Sequence, residues 1–96
     1  MSYTLREIAQ ADLEEIWLYT FQQWDVNQAD SYLKSLLDRC EWLAKNPLMG
    51  KSREDIKTGY LCFPEGAHLI FYIISQRQID VIGIIHQKMN VENHLN

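Results

Sequence analysis

One run of residues limits the fold more than any other, because it is apolar at both its odd and its even positions. The segment 67–75, AHLIFYIIS, would present apolar surface on both faces of an extended strand and therefore belongs inside a sheet. Strand-like runs precede it at 60–64 and follow it at 79–86, and both connections are of hairpin length. The sequence therefore predicts three consecutive antiparallel strands with 67–75 in the middle.

A helical period replaces this pattern in the first half of the chain. Apolar residues recur at steps of three and four positions over 9–24, and again in the segment that follows Asp25. We expect Asp25 to cap the second helix, with Gln28 at its third position, and Asn46 with Pro47 to end it. Because the connection is short, the two helices are predicted to form an antiparallel hairpin.

The remaining segments complete an α+β architecture. Residues 3–8 alternate weakly and predict a short N-terminal strand, whereas 47–59 follow neither period and predict a loop. The tail, 88–96, is expected to form one helical turn or stay extended, and to be dispensable for the fold. The predicted order is β-α-α-β-β-β plus a short tail, with the hairpin packed on an antiparallel sheet in a single domain, 1–96.

Charge and hydropathy exclude several classes of protein. The chain has nine basic and thirteen acidic side chains, and residues 1–46 hold four of the former against eight of the latter. Binding to phosphate backbones requires a basic patch, so direct contact with nucleic acid is not expected. No run approaches the roughly 18 apolar residues of a membrane span, and residues 1–15 are too polar for a signal peptide, which predicts a cytoplasmic protein without a membrane partner.

Few residues suit catalysis or metal binding. No GxSxG motif or glycine-rich phosphate loop occurs, and His68, His86 and His94 are not spaced to place two ligands on one strand face or helix turn. Cys40 and Cys62 lie among apolar neighbours without CxxC spacing and are expected to be buried thiols. We therefore expect no catalytic residue, no metal and no cofactor.

An apolar surplus points instead to a protein-binding face. Apolar residues in the two flanking strands and in the tail exceed what one helical hairpin is expected to cover: Leu61, Phe63, Ile79, Met89, Val91 and Leu95. Trp24, at the end of the first helix, and Trp42 are expected at the rim of this face, where amphipathic aromatic residues mark partner surfaces. From these patterns alone, the chain is predicted to be a small α+β domain that binds another protein.

Several motifs narrow this expectation. The stretch 9–24 reads A-x-A-D-L-E-E-I-W-x-Y-T-x-x-x-W and is followed by Q-A-x-x-Y-L at 28–33. The second half contains NPLMGKSREDIKTGY at 46–60, FPEGAHLIFYII at 63–74 and VIGIIHQKMNVENHL at 81–95. Together, in this order, they resemble the ParE toxins of the RelE/ParE superfamily of bacterial toxin–antitoxin modules over nearly the whole chain.

This resemblance implies the fold derived above and a specific function. The chain would be the toxin of a type II toxin–antitoxin system that inhibits DNA gyrase, through its A subunit, without catalysis. A ParD-like antitoxin would neutralise it, and contact with nucleic acid would arise only through that antitoxin. The residues expected to contact partners are Trp24, Tyr60, Leu61, Phe63, His68, Lys88, Met89, Asn90, His94 and Leu95.

Two alternatives remain open. RelE-like members cut messenger RNA on the ribosome, which requires cations and proton-transfer groups around a phosphate. The family's basic positions fall here on Leu61 and Phe63, and the groups left for such a nuclease are His68, His86, Lys88 and His94. The other alternative is a non-toxic relative that binds the antitoxin or acts as a corepressor, since many relatives carry arginine where this chain has Leu61 and Gly83.

Overall fold

The computed structural model describes residues 1–95. Its elements are β1 (Ser2–Leu5), α1 (Glu7–Gln23), α2 (Val26–Lys45), a 3₁₀ turn (Pro47–Met49), β2 (Lys51–Ser52), β3 (Leu61–Glu65), β4 (His68–Ser75), β5 (Gln78–His86) and α3 (Val91–Leu95). Both predicted helices and the three long strands are confirmed, each within two residues of its expected bounds. Asn96, the end of the predicted tail, lies outside the described residues.

The five strands form one sheet in the order β1-β5-β4-β3-β2. Strand β4 lies at the centre of the sheet, as the apolar run 67–75 predicts. The pairs β2–β3, β3–β4 and β4–β5 are all antiparallel. Strand β1 instead pairs parallel to β5, with Ser2 opposite Gln78 and Leu5 opposite Val81. The α+β class is confirmed, but the sheet is mixed because the long connection through the helices sets the direction of β1.

The helical hairpin covers one face of the sheet. Asp25 caps α2, since its Oδ1 accepts a hydrogen bond from the backbone N–H of Gln28 at 2.8 Å, as expected. The buried stripes of α1 and α2 pack chiefly on β5 and β1. The core beneath them consists of Ala9, Leu13, Ile16, Leu36, Cys40, Leu43, Ala44, Ile70, Tyr72, Ile79, Val81 and Ile84.

The other face of the sheet has a core of its own, which the sequence analysis did not predict. The expected loop 47–59 contains a 3₁₀ turn and the two-residue strand β2, and its end packs Tyr60 against the sheet. The tail forms α3 and buries Leu95 to 7% exposure. Because β4 is apolar on both faces, its second face needs this cover. The tail therefore packs into the fold, and the members of this core are Tyr60, Cys62, Phe71, Ile82, Ile85 and Leu95.

Both cysteines lie in these cores with free thiols, as expected. Burial raises the pKa of the Cys40 thiol to about 12 and also raises that of Cys62. Neither is therefore suited to act as a nucleophile. No helix among residues 1–95 has both the length and the apolar character that crossing a bilayer requires.

Candidate functional site

A pocket of about 240 Å³ lies between helix α1, the start of β4, the end of β5 and the C-terminal segment. It brings together all three histidines of the chain, which come from three different elements. The convergence depends on β4 and β5 pairing along their length and on α3 folding back toward α1. The lining residues are Asp12, Glu15, Ile16, Tyr19, His68, Ile84, His86, Met89 and His94.

Asp12 holds the C-terminal segment at this pocket. It is only 6% exposed, and its Oδ1 lies 2.6 Å from His94 Nε2, while its Oδ2 accepts the backbone N–H of Ile84 at 2.9 Å. Since a buried carboxylate requires hydrogen bonds to its oxygens, these contacts join α1, β5 and α3. The sequence analysis missed Asp12, although its position between Ala9 and Ile16 on the apolar stripe of α1 marks it as a buried acid.

Gly83 gives the C-terminal segment room to lie on the sheet. A Cβ atom at this position would collide with Leu95 Cδ2 and would lie 3.3 Å from Asp12 Oδ2. Gly83 lies at a β-bulge between β4 and β5, where Phe71 pairs with Gly83 but the next residue, Tyr72, pairs with Val81. The missing side chain therefore allows α3 to pack closely on β5.

His68 is fixed by a tyrosine from the helical hairpin. Its Nδ1 lies 2.6 Å from the Tyr32 hydroxyl, which also accepts the backbone N–H of Ala67 at 3.2 Å. The hydroxyl also lies 3.4 Å from the carbonyl oxygen of Glu65, so it can donate its proton there or to Nδ1, and the tautomer of the His68 ring follows from that choice. Burial first, and the neighbouring His86 second, lower the pKa of His68. Both effects favour the neutral imidazole.

His86 completes the cluster from the next strand. It lies opposite His68 in the β4–β5 register, and the two rings meet edge to face with centroids 5.4 Å apart. Its Nδ1 accepts the backbone N–H of Lys88 at 3.2 Å, but the Lys88 side chain is exposed and does not line the pocket. Three of the four proposed nuclease groups therefore converge, and the cation among them does not.

The pocket lining has an unusual balance of charge. Within residues 1–95, it contains three imidazoles and two carboxylates, those of Asp12 and Glu15, but no lysine or arginine. No group of three or more His, Cys, Asp or Glu side chains in the same range is arranged to hold a metal ion. A site of this composition is better suited to apolar or cationic groups than to a phosphate.

Four of the residues expected to contact partners are buried or half-buried. Tyr60 and Leu95 are each 7% exposed and lie in the core of the second sheet face. Leu61 and Phe63 are half-buried beneath the hairpin, where the Phe63 ring meets that of Trp42 with centroids 5.2 Å apart. The expectation of an uncovered apolar strip here is wrong, because the hairpin covers one face and the loop and tail cover the other.

Most of the others are accessible. Trp24 and Met89 are 66% and 48% exposed, and Lys88 and Asn90 are exposed next to Met89 in the chain. The remaining two predicted partner residues, His68 and His94, line the pocket. Tyr19, which the sequence analysis did not single out, lines the pocket and is 61% exposed. The accessible members of the predicted set therefore lie near α1 and at the start of the tail.

Comparison with known proteins decides the family. A family model described as the ParE toxin of the type II toxin–antitoxin system parDE matches residues 3–91. The chain belongs to the ParE toxin family. This ParE-family chain is 39% identical over 94 residues to Toxin ParE1 of Mycobacterium tuberculosis strain H37Rv, which covers 97% of this chain and 96% of the relative. It is also 39% identical over 93 residues to Toxin ParE1 of Caulobacter vibrioides, with the same shares of each chain covered.

A solved structure supports the fold of this family member independently. The match is to a chain described as the chromosomal ParDE TA system from P. aeruginosa, with a TM-score of 0.77 over 90% of this chain and 95% of that chain. Because the two sequences are only 16% identical, the likeness concerns the fold alone. The family assignment makes this chain the toxin of a type II toxin–antitoxin system.

Proposed function

We propose that this ParE-family toxin acts in the cytoplasm by binding DNA gyrase, through its A subunit, and has no catalytic activity of its own. One observation carries the proposal: the pocket that gathers the three histidines is lined by two carboxylates and, among residues 1–95, by no lysine or arginine. A nuclease must neutralise the charge that develops on the scissile phosphate. Asp12 and Glu15 would increase that charge instead.

The positions that carry cations in the nucleases support the same conclusion. Leu61 and Phe63 are apolar and half-buried against the core beneath the hairpin. Neither can reach a phosphate from that position. His94 Nε2 lies within hydrogen-bond distance of Asp12 Oδ1 at 2.6 Å, and His68 Nδ1 lies 2.6 Å from the Tyr32 hydroxyl. Binding a protein requires none of these groups to transfer a proton.

We further propose that the product of the neighbouring gene is a ParD-like antitoxin that neutralises this chain by covering it. The relatives of this family are named as ParE toxins, and the solved structure is described as a ParDE system. Exposed apolar side chains on and near α1 offer the surface for such a partner: Leu18, Tyr19, Phe21, Trp24 and Val26 are each 40% or more exposed. Apolar patches of this kind mark protein-binding surfaces.

A ribosome-dependent nuclease is the second candidate, because three imidazoles do share one pocket. The two candidate functions differ in their cellular target, which is gyrase in one case and messenger RNA in the other. For gyrase poisoning, induction of the chain should arrest growth with DNA-damage signalling, and the purified protein should inhibit supercoiling by purified gyrase. For the nuclease, induction should produce selective transcript cleavage on ribosomes and leave gyrase unaffected.

The experiment therefore compares induction with and without the neighbouring gene, together with a supercoiling assay. The variant His86→Ala is a useful addition, since removal of one imidazole should abolish a histidine-dependent cleavage. Transcript cleavage that depends on His86 would contradict our proposal. The absence of any growth phenotype would favour the non-toxic relative considered from Leu61 and Gly83.

A further inference from the structure

We infer that the pocket beside Tyr19 and Met89 receives one large apolar side chain of the antitoxin, and that a lysine or arginine next to this side chain pairs with Glu15. The inference rests on the proposed antitoxin partner and deepens it, because it names the chemistry of the contact and its place on the toxin. It also separates this pocket from the rest of the exposed surface of α1.

The shape and lining of the pocket suit a single apolar group. Its volume of about 240 Å³ exceeds the roughly 150 Å³ of an engineered cavity that admits benzene. Ile16 and Ile84 form buried parts of its wall, while Tyr19 and Met89 stand at 61% and 48% exposure. Buried anchors of this kind, surrounded by a partly exposed rim, contribute most of the binding energy in protein interfaces.

The charge at the pocket rim indicates which kind of partner residue lies next to the apolar side chain in the pocket. Glu15 lines the pocket, is exposed, and takes part in none of the salt bridges formed among residues 1–95. Asp12, by contrast, is already satisfied by His94 and the backbone of Ile84. The free carboxylate of Glu15 is therefore available to a cation that a partner brings to the rim.

The negative charge around the pocket favours some binding partners over others. A second copy of this chain would bring an N-terminal half with eight acidic and four basic side chains against an identical surface, which is unfavourable. A nucleic acid would add further negative charge. An antitoxin segment that orders on binding can instead present an apolar residue and a basic residue at neighbouring positions of one helix. We therefore assign the pocket to the antitoxin.

The test compares two variants at the pocket with two matched controls away from it. Tyr19→Ala removes one side of the rim and Glu15→Lys reverses its charge. Leu48→Ala truncates another exposed apolar side chain and Glu14→Lys reverses the adjacent exposed charge, and neither residue lines this pocket. Each full-length variant is titrated calorimetrically with the purified product of the neighbouring gene, after its thermal transition has been checked against that of the wild type.

We expect both pocket variants to weaken binding by tenfold or more, and both controls to remain within about threefold of the wild type. Raising the salt concentration should weaken wild-type binding more than that of Glu15→Lys. Equal affinity of the pocket variants and the wild type would overturn the inference, as would an equal loss in all four. A wild-type chain that fails to bind the neighbouring product at all would contradict the proposed function itself.

Discussion

Single residues at the two ends of the chain depend on each other through Asp12. Its carboxylate accepts one hydrogen bond from the last helix and one from the last strand, although it belongs to the first helix. These residues belong to two motifs of the family resemblance, at 9–24 and at 81–95, which lie far apart in sequence. The contact gives a physical reason for both motifs to occur together, because the buried acid of the first is the hydrogen-bond partner of the histidine of the second.

Replacement of Asp12 by asparagine tests this dependence. Asparagine has one acceptor oxygen, so either His94 or the backbone N–H of Ile84 would face an amide donor. We expect a loss of about 1–3 kcal/mol in the free energy of unfolding, measured by urea denaturation. Glu14→Gln, an exposed acid on the same helix, should leave the denaturation midpoint unchanged. An unchanged midpoint for Asp12→Asn would show that the buried carboxylate does not hold the tail.

His68 predicts how stability depends on pH. Burial lowers its pKa in the folded state, so the unfolded state binds the proton more readily. The contribution of neutral His68 to the free energy of unfolding is fully present above the pKa of the unfolded state, near 6.5. It is lost as the pH falls through the lower pKa of the folded state. Thermal melts at pH 7.5 and pH 5.5 should therefore show a smaller decrease for His68→Asn than for the wild type. A decrease of equal size in both proteins would contradict this assignment.

Among the elements, α3 has a role that its five residues do not suggest. It covers the sheet face opposite the helical hairpin, buries Leu95 beside Gly83, and provides His94 to Asp12. A segment this short has no helical tendency of its own and is held by packing. Its contribution to the fold therefore lies in tertiary contacts rather than in a periodic pattern.

Deletion of residues 88–96 should accordingly destabilise the protein. Removal of Leu95 alone is comparable to a buried leucine truncation, which costs about 2–5 kcal/mol, and Asp12 loses a partner as well. We expect a markedly lower thermal midpoint than that of the wild type. The variant Lys88→Ala changes only an exposed side chain and should retain the wild-type midpoint.

This pair also tests the role of the tail in toxicity. If the exposed start of the tail contacts gyrase, Lys88→Ala should weaken supercoiling inhibition while the protein remains fully folded. A truncated chain with an unchanged midpoint would show that α3 is dispensable, as the sequence alone suggested.

Across the whole molecule, local patterns predicted the elements, but not how distant ones meet. The capping of α2 by Asp25 and the central place of β4 follow from short-range patterns, and both are present. The parallel direction of β1 and the cover of the second sheet face depend on contacts between residues far apart in sequence. The pocket was missed for the same reason, since Asp12, His68 and His94 share no local motif.

The position of β1 also determines the order in which the sheet can close. Among the described strands β1 is made first, yet its one neighbour, β5, is made last. Pairings between such distant segments form slowly, because most of the chain must be ordered before they are gained. The nascent chain therefore cannot complete its sheet until β5 has been synthesised, and the pocket between α1, the end of β5 and the C-terminal segment forms only after that step.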